Sequence, residues 1–132
     1  MSLKYTIVRQ AQPGIKGGGS YNYYARACER SKATLDDLAD MIHQRTSLSR
    51  GDVVSVVVSL SDLIPELLSD NKTVELGDLG TFSLHLQSEG VPSPEEISYR
   101  KIKAIKIQFR PGIHFKRAIG RVNFIKSNKS SF

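Results

Sequence analysis

The chain has 132 residues, a single cysteine and a formal net charge of +6. This length suits one domain of ordinary size, or one small domain with an appended element, rather than two full domains. The lone Cys28 excludes an internal disulfide and a thiolate metal site. No apolar run is long enough to span a membrane, and the first residues lack the apolar core of a secretory signal, so we expect a cytoplasmic protein.

The positive charge is unevenly placed along the chain. Residues 1–70 contain eight basic and eight acidic residues, whereas residues 71–132 contain eleven and five. From Ile97 onward there are ten basic residues and no acidic one. A solvated surface usually mixes both signs, so this segment indicates a polyanionic partner. Nucleic acid is the first candidate, and an anionic membrane surface is the second.

Two short strands are predicted before residue 33, LKYTIVRQ (3–10) and SYNYYARAC (20–28). The loop PGIKGGGS (13–20) separates them. A glycine-rich loop can bind phosphate, but this one lacks the Gly-Lys-Ser/Thr ending of a P-loop and no helix pattern follows it. We therefore interpret it as a flexible connector.

Two helices are predicted next. Thr34 is a suitable N-cap for the first, in which Leu35, Leu38, Ala39 and Ile42 form one apolar stripe. Ser49 is a suitable N-cap for the second, and Asp52 completes a capping box.

The second helix, from residue 50 onward, has an unusually broad apolar face that includes Val56, Leu63 and Leu67. One small domain offers little to cover it, so a second subunit is expected. Pro65 lies within this run, and it predicts either a kink or a helix that ends early and restarts.

A hairpin with a long connection is predicted after the helices. Its strands are residues 73–76 and 81–87, joined by the turn Gly77–Gly80, and KIKAIKIQFRPG (101–112) follows the polar loop SEGVPSPEEISYR (88–100). In this last strand Ile105, Ile107 and Phe109 alternate with polar residues, which are mostly cationic. A short basic helix, IHFKRAIGRV (113–122), comes next, and VNFI (122–125) is predicted to be an edge strand that pairs with the N-terminal extension.

This order of elements resembles the HU and integration host factor family of bacterial DNA-bending proteins. The residues that carry the resemblance are Leu48–Ser49–Arg50, VELGDLGTFSL (74–84) and QFRPGIHFKRAI (108–119), within a similar region of residues 34–119. Gly80 and Phe82 match the family's turn glycine and core aromatic, and Arg110, Pro111 and Gly112 match its strand end. The added strands on both sides resemble a divergent branch with an N-terminal extension.

The resemblance implies an α+β fold of the HU-like type. Its features are an intertwined dimer, two N-terminal helices, a three-stranded antiparallel sheet with a protruding β-arm, and a short C-terminal helix, with extra terminal strands in this chain. The implied domains are a β extension at residues 1–33, an HU-like DNA-binding domain at 34–120 and an edge strand with a tail at 121–132.

The function implied is that of a nucleoid-associated homodimer that binds double-stranded DNA with little sequence preference and bends it through the minor groove. The residues expected to contact DNA are Arg100, Lys101, Lys103, Lys106, Arg110, Lys116 and Arg117. The arm tip differs from the family, which carries arginines and an Asn-Pro-x-Thr-Gly-like turn there. Pro92 or Pro94 is the candidate wedge between base pairs, next to glutamates that repel phosphates.

Other functions remain open at this stage. The acidic tip permits a structural or protein-interaction module that keeps the dimer fold without strong bending. RNA or an anionic membrane could use the same charges, although Tyr99 is the only aromatic in the arm connection. His43, His85 and His114 lie on three different elements, so we expect no metal site, cofactor, small-molecule substrate or enzyme activity.

Overall fold

The computed structural model describes residues 2–11 and 20–128, so the predicted connector at residues 13–20 lies, apart from Ser20, outside the described residues. In chain order the elements are β1 (Ser2–Ala11), β2 (Tyr21–Ala27), α1 (Leu35–Arg45), α2 (Arg50–Ser69), β3 (Val74–Glu75), β4 (Gly80–Ser88), β5 (Ile102–Pro111), α3 (Ile113–Ile119) and β6 (Asn123–Lys126). Within these described residues, three α-helices and two three-stranded sheets confirm the predicted α+β class.

The chain divides into two compact units. The terminal unit comprises residues 1–33 and 119–132, and the central unit comprises residues 34–118. The central unit therefore interrupts the terminal unit in the sequence.

The terminal unit is a sheet in the order β2-β1-β6. Strands β1 and β2 are antiparallel, whereas β6 runs parallel to β1. Just after β6, Ser127 is buried; its amide donates to the Tyr5 carbonyl at 2.8 Å and its hydroxyl donates to the Glu29 carboxylate at 2.8 Å. Lys4 Nζ lies 3.8 Å from the same carboxylate oxygen. These contacts anchor the last strand of the sheet.

Helices α1 and α2 begin at the predicted N-caps. Thr34 N donates to Asp37 Oδ2 at 2.9 Å, and Asp37 N donates to Thr34 Oγ1 at 3.3 Å. Ser49 and Asp52 make the same pair of bonds at 3.3 and 3.1 Å. The hydrogen bond from the Thr34 amide, with that of its hydroxyl, lowers the pKa of Asp37, because both favour the charged carboxylate. The two capping boxes thus fix where each helix starts.

Helix α2 runs without interruption through Pro65. The alternative in which it ends early and restarts was therefore wrong. Ile64 and Leu68, one on each side of the proline in sequence, line the same groove as Phe82 of β4, so packing against the hairpin holds the last turn despite the missing hydrogen bond.

The central sheet is antiparallel in the order β3-β4-β5. Strand β3 has only two residues, fewer than the four predicted. Phe82 pairs with Phe109 in register, and their ring centroids lie 4.9 Å apart. Phe115 of α3 meets Phe109 edge-on at 6.4 Å, so one row of aromatic rings joins the hairpin to the last helix.

The apolar face of the central unit is largely open. Among the described residues only Ala39, Val53 and Leu68 are buried hydrophobic side chains. Ile105 and Ile107 of β5 remain 62% and 72% exposed. They contribute to a groove of about 600 Å³ whose lining also includes Ile64, Leu68, Phe82 and Leu84.

Candidate nucleic-acid interface

The β4–β5 hairpin has a polar face opposite its phenylalanines. Residues directly across an antiparallel pair share a face, and the register pairs Thr81 with Arg110 and His85 with Lys106. Lys106 and Arg110 are both exposed, and four residues of strand separate them by about 13 Å. This face can therefore present two cations to one polyanion.

The other predicted cations do not continue this face. The register passes from the pair Gln87–Ala104 to the pair Ser88–Ile102, which leaves Lys103 as an additional residue at a β-bulge. Arg100 and Lys101 precede the strand, in a short 3-10 turn at Tyr99–Lys101. The seven cations expected to contact DNA therefore do not all lie on one face of the ribbon.

Local contacts also distinguish Lys101 from its neighbour. Lys101 Nζ lies 3.9 Å from Glu89 Oε2, and the Glu89 amide donates to the Lys101 carbonyl at 2.9 Å. This pair offsets part of the Lys101 charge and closes the outer end of the hairpin. The Arg100 guanidinium lies 5.8 Å from the ring centroid of Tyr99, which is 76% exposed. Arg100 and Tyr99 thus form an exposed cation–π pair.

The connection between the strands carries negative charge beside its prolines. Pro92 and Pro94 are exposed, and Pro94 begins a 3-10 turn that ends at Glu96. The Ser93 hydroxyl donates a hydrogen bond to the Glu95 carboxylate, and this bond is the main reason why the pKa of Glu95 is lowered. Glu95 therefore remains anionic near neutral pH.

A groove of about 580 Å³ lies where the hairpin meets α3. Arg110, His114 and Arg117 line it together with Asp78 and Glu75, so its charge is mixed. Lys116 is exposed on the same helix. A side chain at Gly112 would place a Cβ 2.3 Å from the Asp78 carbonyl oxygen, so only glycine allows the chain to turn from β5 into α3 here.

Charge is strongly segregated within the central unit. Residues 34–96 contain three basic and twelve acidic residues, whereas residues 97–118 contain seven basic and no acidic residues. Helices α1 and α2, the turn after them and the arm tip are thus anionic, whereas the segment that contains β5 and α3 is cationic.

The described part of the chain contains no group of three His, Cys, Asp or Glu side chains that could hold a metal ion. His43 Nδ1 lies 2.7 Å from the Leu48 carbonyl oxygen, and His85 Nε2 lies 3.3 Å from Ser83 Oγ. These histidines therefore make local polar contacts. None of the helices within residues 2–11 and 20–128 is both long and apolar enough to cross a membrane.

A second cationic and aromatic cluster, which was not predicted from the sequence, lies in the terminal unit. The Arg9 guanidinium lies 4.6 Å from the ring centroid of Tyr21, and Tyr23 of the same strand is 60% exposed. The alternation of tyrosines in YNYY was the available signal, because alternate residues of a strand share one face.

Comparisons with known proteins agree with an HU-like fold. The family model HU-HIG, described as an HU domain fused to a winged helix-turn-helix, Ig or glycine-rich motif, matches residues 1–126. A crystal structure of a proposed bacterial DNA-binding protein from Bacteroides vulgatus ATCC 8482 is similar, with a TM-score of 0.64 and 14% sequence identity, over 99% of this chain and 51% of that chain. The chain thus spans about half the length of that relative. No curated protein matches the chain.

Proposed function

Because the chain belongs to the HU-HIG family, we propose that it is a non-catalytic architectural protein that binds double-stranded DNA as a homodimer with little sequence preference. The observation that carries the proposal is the segment 97–118, with seven basic and no acidic residues, on the strand and helix that end the central unit. Phosphate contacts of this kind give affinity without reading sequence. The proposed location is the cytoplasmic nucleoid.

The proposed contact residues differ in how they meet the duplex. Lys106 and Arg110 supply two cations on the polar face of the hairpin. Lys116 and Arg117 supply two more on α3, next to the strand end. Arg100, Lys101 and Lys103 lie near the outer end of the hairpin, and Lys101 is the weakest candidate because it pairs with Glu89.

The open apolar groove supports the homodimer. Fully burying an Ile, Leu or Val side chain contributes about 1.5–3 kcal/mol, so exposed side chains such as Val56, Leu63, Ile105 and Ile107 forgo several kcal/mol in a lone chain. A second copy offers the same apolar groove, as a two-fold symmetric interface requires. The dimer would also place two cationic hairpins on one duplex.

Bending is part of the proposal, with Pro92 or Pro94 as the wedge. Both prolines are exposed in the connection, as a wedge requires. Donor and acceptor dyes at the two ends of a duplex report bending as increased energy transfer. We expect Pro92→Ala with Pro94→Ala to lower this transfer while the affinity falls less than threefold. Equal energy transfer in the duplex with the variant and with the unaltered protein would show that neither proline acts as the wedge.

The anionic arm tip favours a second candidate function, in which the dimer fold serves as a structural or protein-interaction module. Glu89, Glu95 and Glu96 would meet phosphates at like charge if the arm followed the groove. Such a module would keep its solution mass as a dimer and would have negligible affinity for DNA.

A salt titration separates the two candidates. Fluorescence anisotropy of a labelled duplex of about thirty base pairs, with the protein mass measured alongside, should show binding by a dimer with a log-log slope of about −0.9 per phosphate neutralised. Lys106→Gln with Arg110→Gln should reduce the slope, whereas Lys72→Gln, a single-charge control in the turn after α2, should not. A dimer that does not bind DNA even at low salt would support the structural module instead.

A further inference from the structure

The terminal unit, rather than the HU-like central unit, carries the excess positive charge. Residues 1–33 and 119–132 contain nine basic residues and one acidic residue, whereas residues 34–118 contain ten and twelve. The net charges are therefore +8 and −2. The single acid, Glu29, is held by the Ser127 hydroxyl and lies near Lys4. An anion that approaches this sheet thus meets little repulsion.

One face of the terminal sheet combines aromatic rings with a cation. The register places Tyr23 directly opposite Arg9, and Tyr21 lies two residues before Tyr23, so all three share this face. Phe124 of β6 pairs with Leu3, which shares the parity of Arg9, so it belongs to the same face. Tyr21, Tyr23 and Phe124 are 50%, 60% and 69% exposed. We call these three rings with Arg9 the aromatic face.

An open groove lies at the Phe124 end of the aromatic face. Its volume is about 370 Å³, and Ala25, Ala27 and Phe124 are among the residues that line it. From Arg9 to Leu3 the strand extends about 20 Å, so Phe124 lies far from the tyrosine pair along the sheet. The small alanines leave room above the backbone between the rings. A single occupant that contacts both the tyrosine pair and Phe124 must therefore be long.

The spacing of the rings suits separated bases. Residues two apart on a strand lie about 6.6 Å apart, which is about twice the 3.4 Å rise per base of stacked DNA. Rings at this spacing can stack on successive bases only when those bases have moved apart. In a duplex the faces of the bases are covered by their neighbours.

From these observations we propose that the aromatic face binds single-stranded nucleic acid, with bases stacked on Tyr21, Tyr23 and Phe124 and with a phosphate near Arg9. Lys126 pairs with Tyr5 and therefore lies on the same face, where it can contact a further phosphate. This site contains no residue of the hairpin, and the proposal does not rest on duplex binding. Because every base has a flat π face on which an aromatic ring can stack, we expect binding with little sequence preference. A second copy of the chain is a poor occupant, because two units of net charge +8 repel each other.

Matched tyrosine variants of the full chain test the proposal. Tyr24 directly follows Tyr23 on β2 and lies on the opposite face of the sheet, so Tyr24→Ala is the control. Anisotropy would be measured with labelled oligo(dT) and oligo(U) of about twenty nucleotides and with a duplex of the same length. We expect Tyr21→Ala with Tyr23→Ala to weaken single-strand binding at least about tenfold, from stacking losses of that order. Duplex binding should change less than twofold.

Further variants and probes show whether a loss of binding comes from lost base stacking. Tyr21→Phe with Tyr23→Phe should restore single-strand binding, because phenylalanine keeps the stacking surface. Preference for oligo(dT) or oligo(U) would tell DNA from RNA within the proposal, while binding to neither would overturn it. An equal loss with Tyr24→Ala, or parallel loss of duplex binding, would also overturn it.

A second measurement needs no variant and is therefore insensitive to misfolding. The unaltered protein would be photo-crosslinked to an oligonucleotide that contains 5-bromodeoxyuridine, and the modified peptides would be mapped. Adducts in residues 20–27 are expected. Adducts confined to residues 97–118 would place single strands on the hairpin and overturn the proposal. Sedimentation would also be measured for Tyr21→Ala with Tyr23→Ala. A change in oligomeric state without a change in single-strand binding would mean that the aromatic face is a contact between copies of the chain, contrary to the proposal.

Discussion

Replacement of Gly80 by alanine should lower the free energy of unfolding by about 2–6 kcal/mol. Gly80 has a φ of +146°, in a region where a residue with a side chain costs about 1–3 kcal/mol. An added Cβ would lie 2.3 Å from the Arg110 carbonyl oxygen and 2.7 Å from the Phe109 ring, so β4 and β5 must move apart. Such overpacking costs about 1–3 kcal/mol more. A small domain has only about 5–15 kcal/mol in total.

Two other glycines separate the contributions of conformation and contact. Gly77 has a φ of +58° with no atom within 4 Å of an added Cβ, so Gly77→Ala should cost about 1–2 kcal/mol from conformation alone. Gly90 has no atom within 4 Å and no positive φ, so Gly90→Ala should stay within about 0.5 kcal/mol. Urea denaturation followed by circular dichroism measures all three at one protein concentration, because the stability of a dimer depends on concentration. If Gly80→Ala is no worse than Gly77→Ala, the close approach of β4 to β5 is refuted.

Three further predictions concern the core, the hairpin charges and acid stability. Phe82→Ala should cost about 3–5 kcal/mol if the proposed dimer buries this ring, because the truncation leaves a cavity. A loss below about 1 kcal/mol in chemical denaturation would contradict that burial. Lys103→Glu with Lys106→Glu should weaken duplex binding at least about tenfold with little change in melting temperature. Lys72→Glu is the control. Unchanged binding would show that these two lysines do not contact DNA. The pKa of Asp37 in the folded chain lies below its ordinary value of 3.8. The stabilisation that the Asp37 carboxylate contributes is therefore present above pH 3.8 and is lost as the pH falls through the folded-state pKa. The difference in unfolding free energy between the wild type and Asp37→Asn should thus shrink on acidification. A difference that stays constant with pH would contradict the capping bond.

The sequence predicted those parts of the fold that depend on local chemistry. Thr34 and Ser49 were predicted as N-caps, and both make reciprocal capping boxes. The apolar alternation of β5 gave the correct facing of Ile105 and Ile107 toward the side of Phe82. In each case a few neighbouring residues contain the whole signal, since caps and strand faces depend on residues within about four positions.

The sequence did not predict features that depend on contacts between distant residues. The bulge at Lys103 depends on how β4 pairs with β5, so the cations could not be assigned to one face from a period alone. The continuity of α2 through Pro65 depends on the hairpin that packs beside it. The aromatic face needs the register between β1 and β2, because Arg9 and Tyr21 lie twelve positions apart in the chain.

The interruption of the terminal sheet by the central unit has a consequence for protein synthesis. Strand β6 is translated about 95 residues after β2, which at roughly 5–20 residues per second takes about 5–20 s. During this time β1 and β2 can form only an isolated hairpin, which is marginally stable in water. The ribosome therefore releases a complete central unit before the sheet can close. Nascent chains halted before Asn123 would contain the β4–β5 hairpin but lack Phe124 and the Ser127 anchor. The two proposed nucleic-acid surfaces would therefore form in a fixed order.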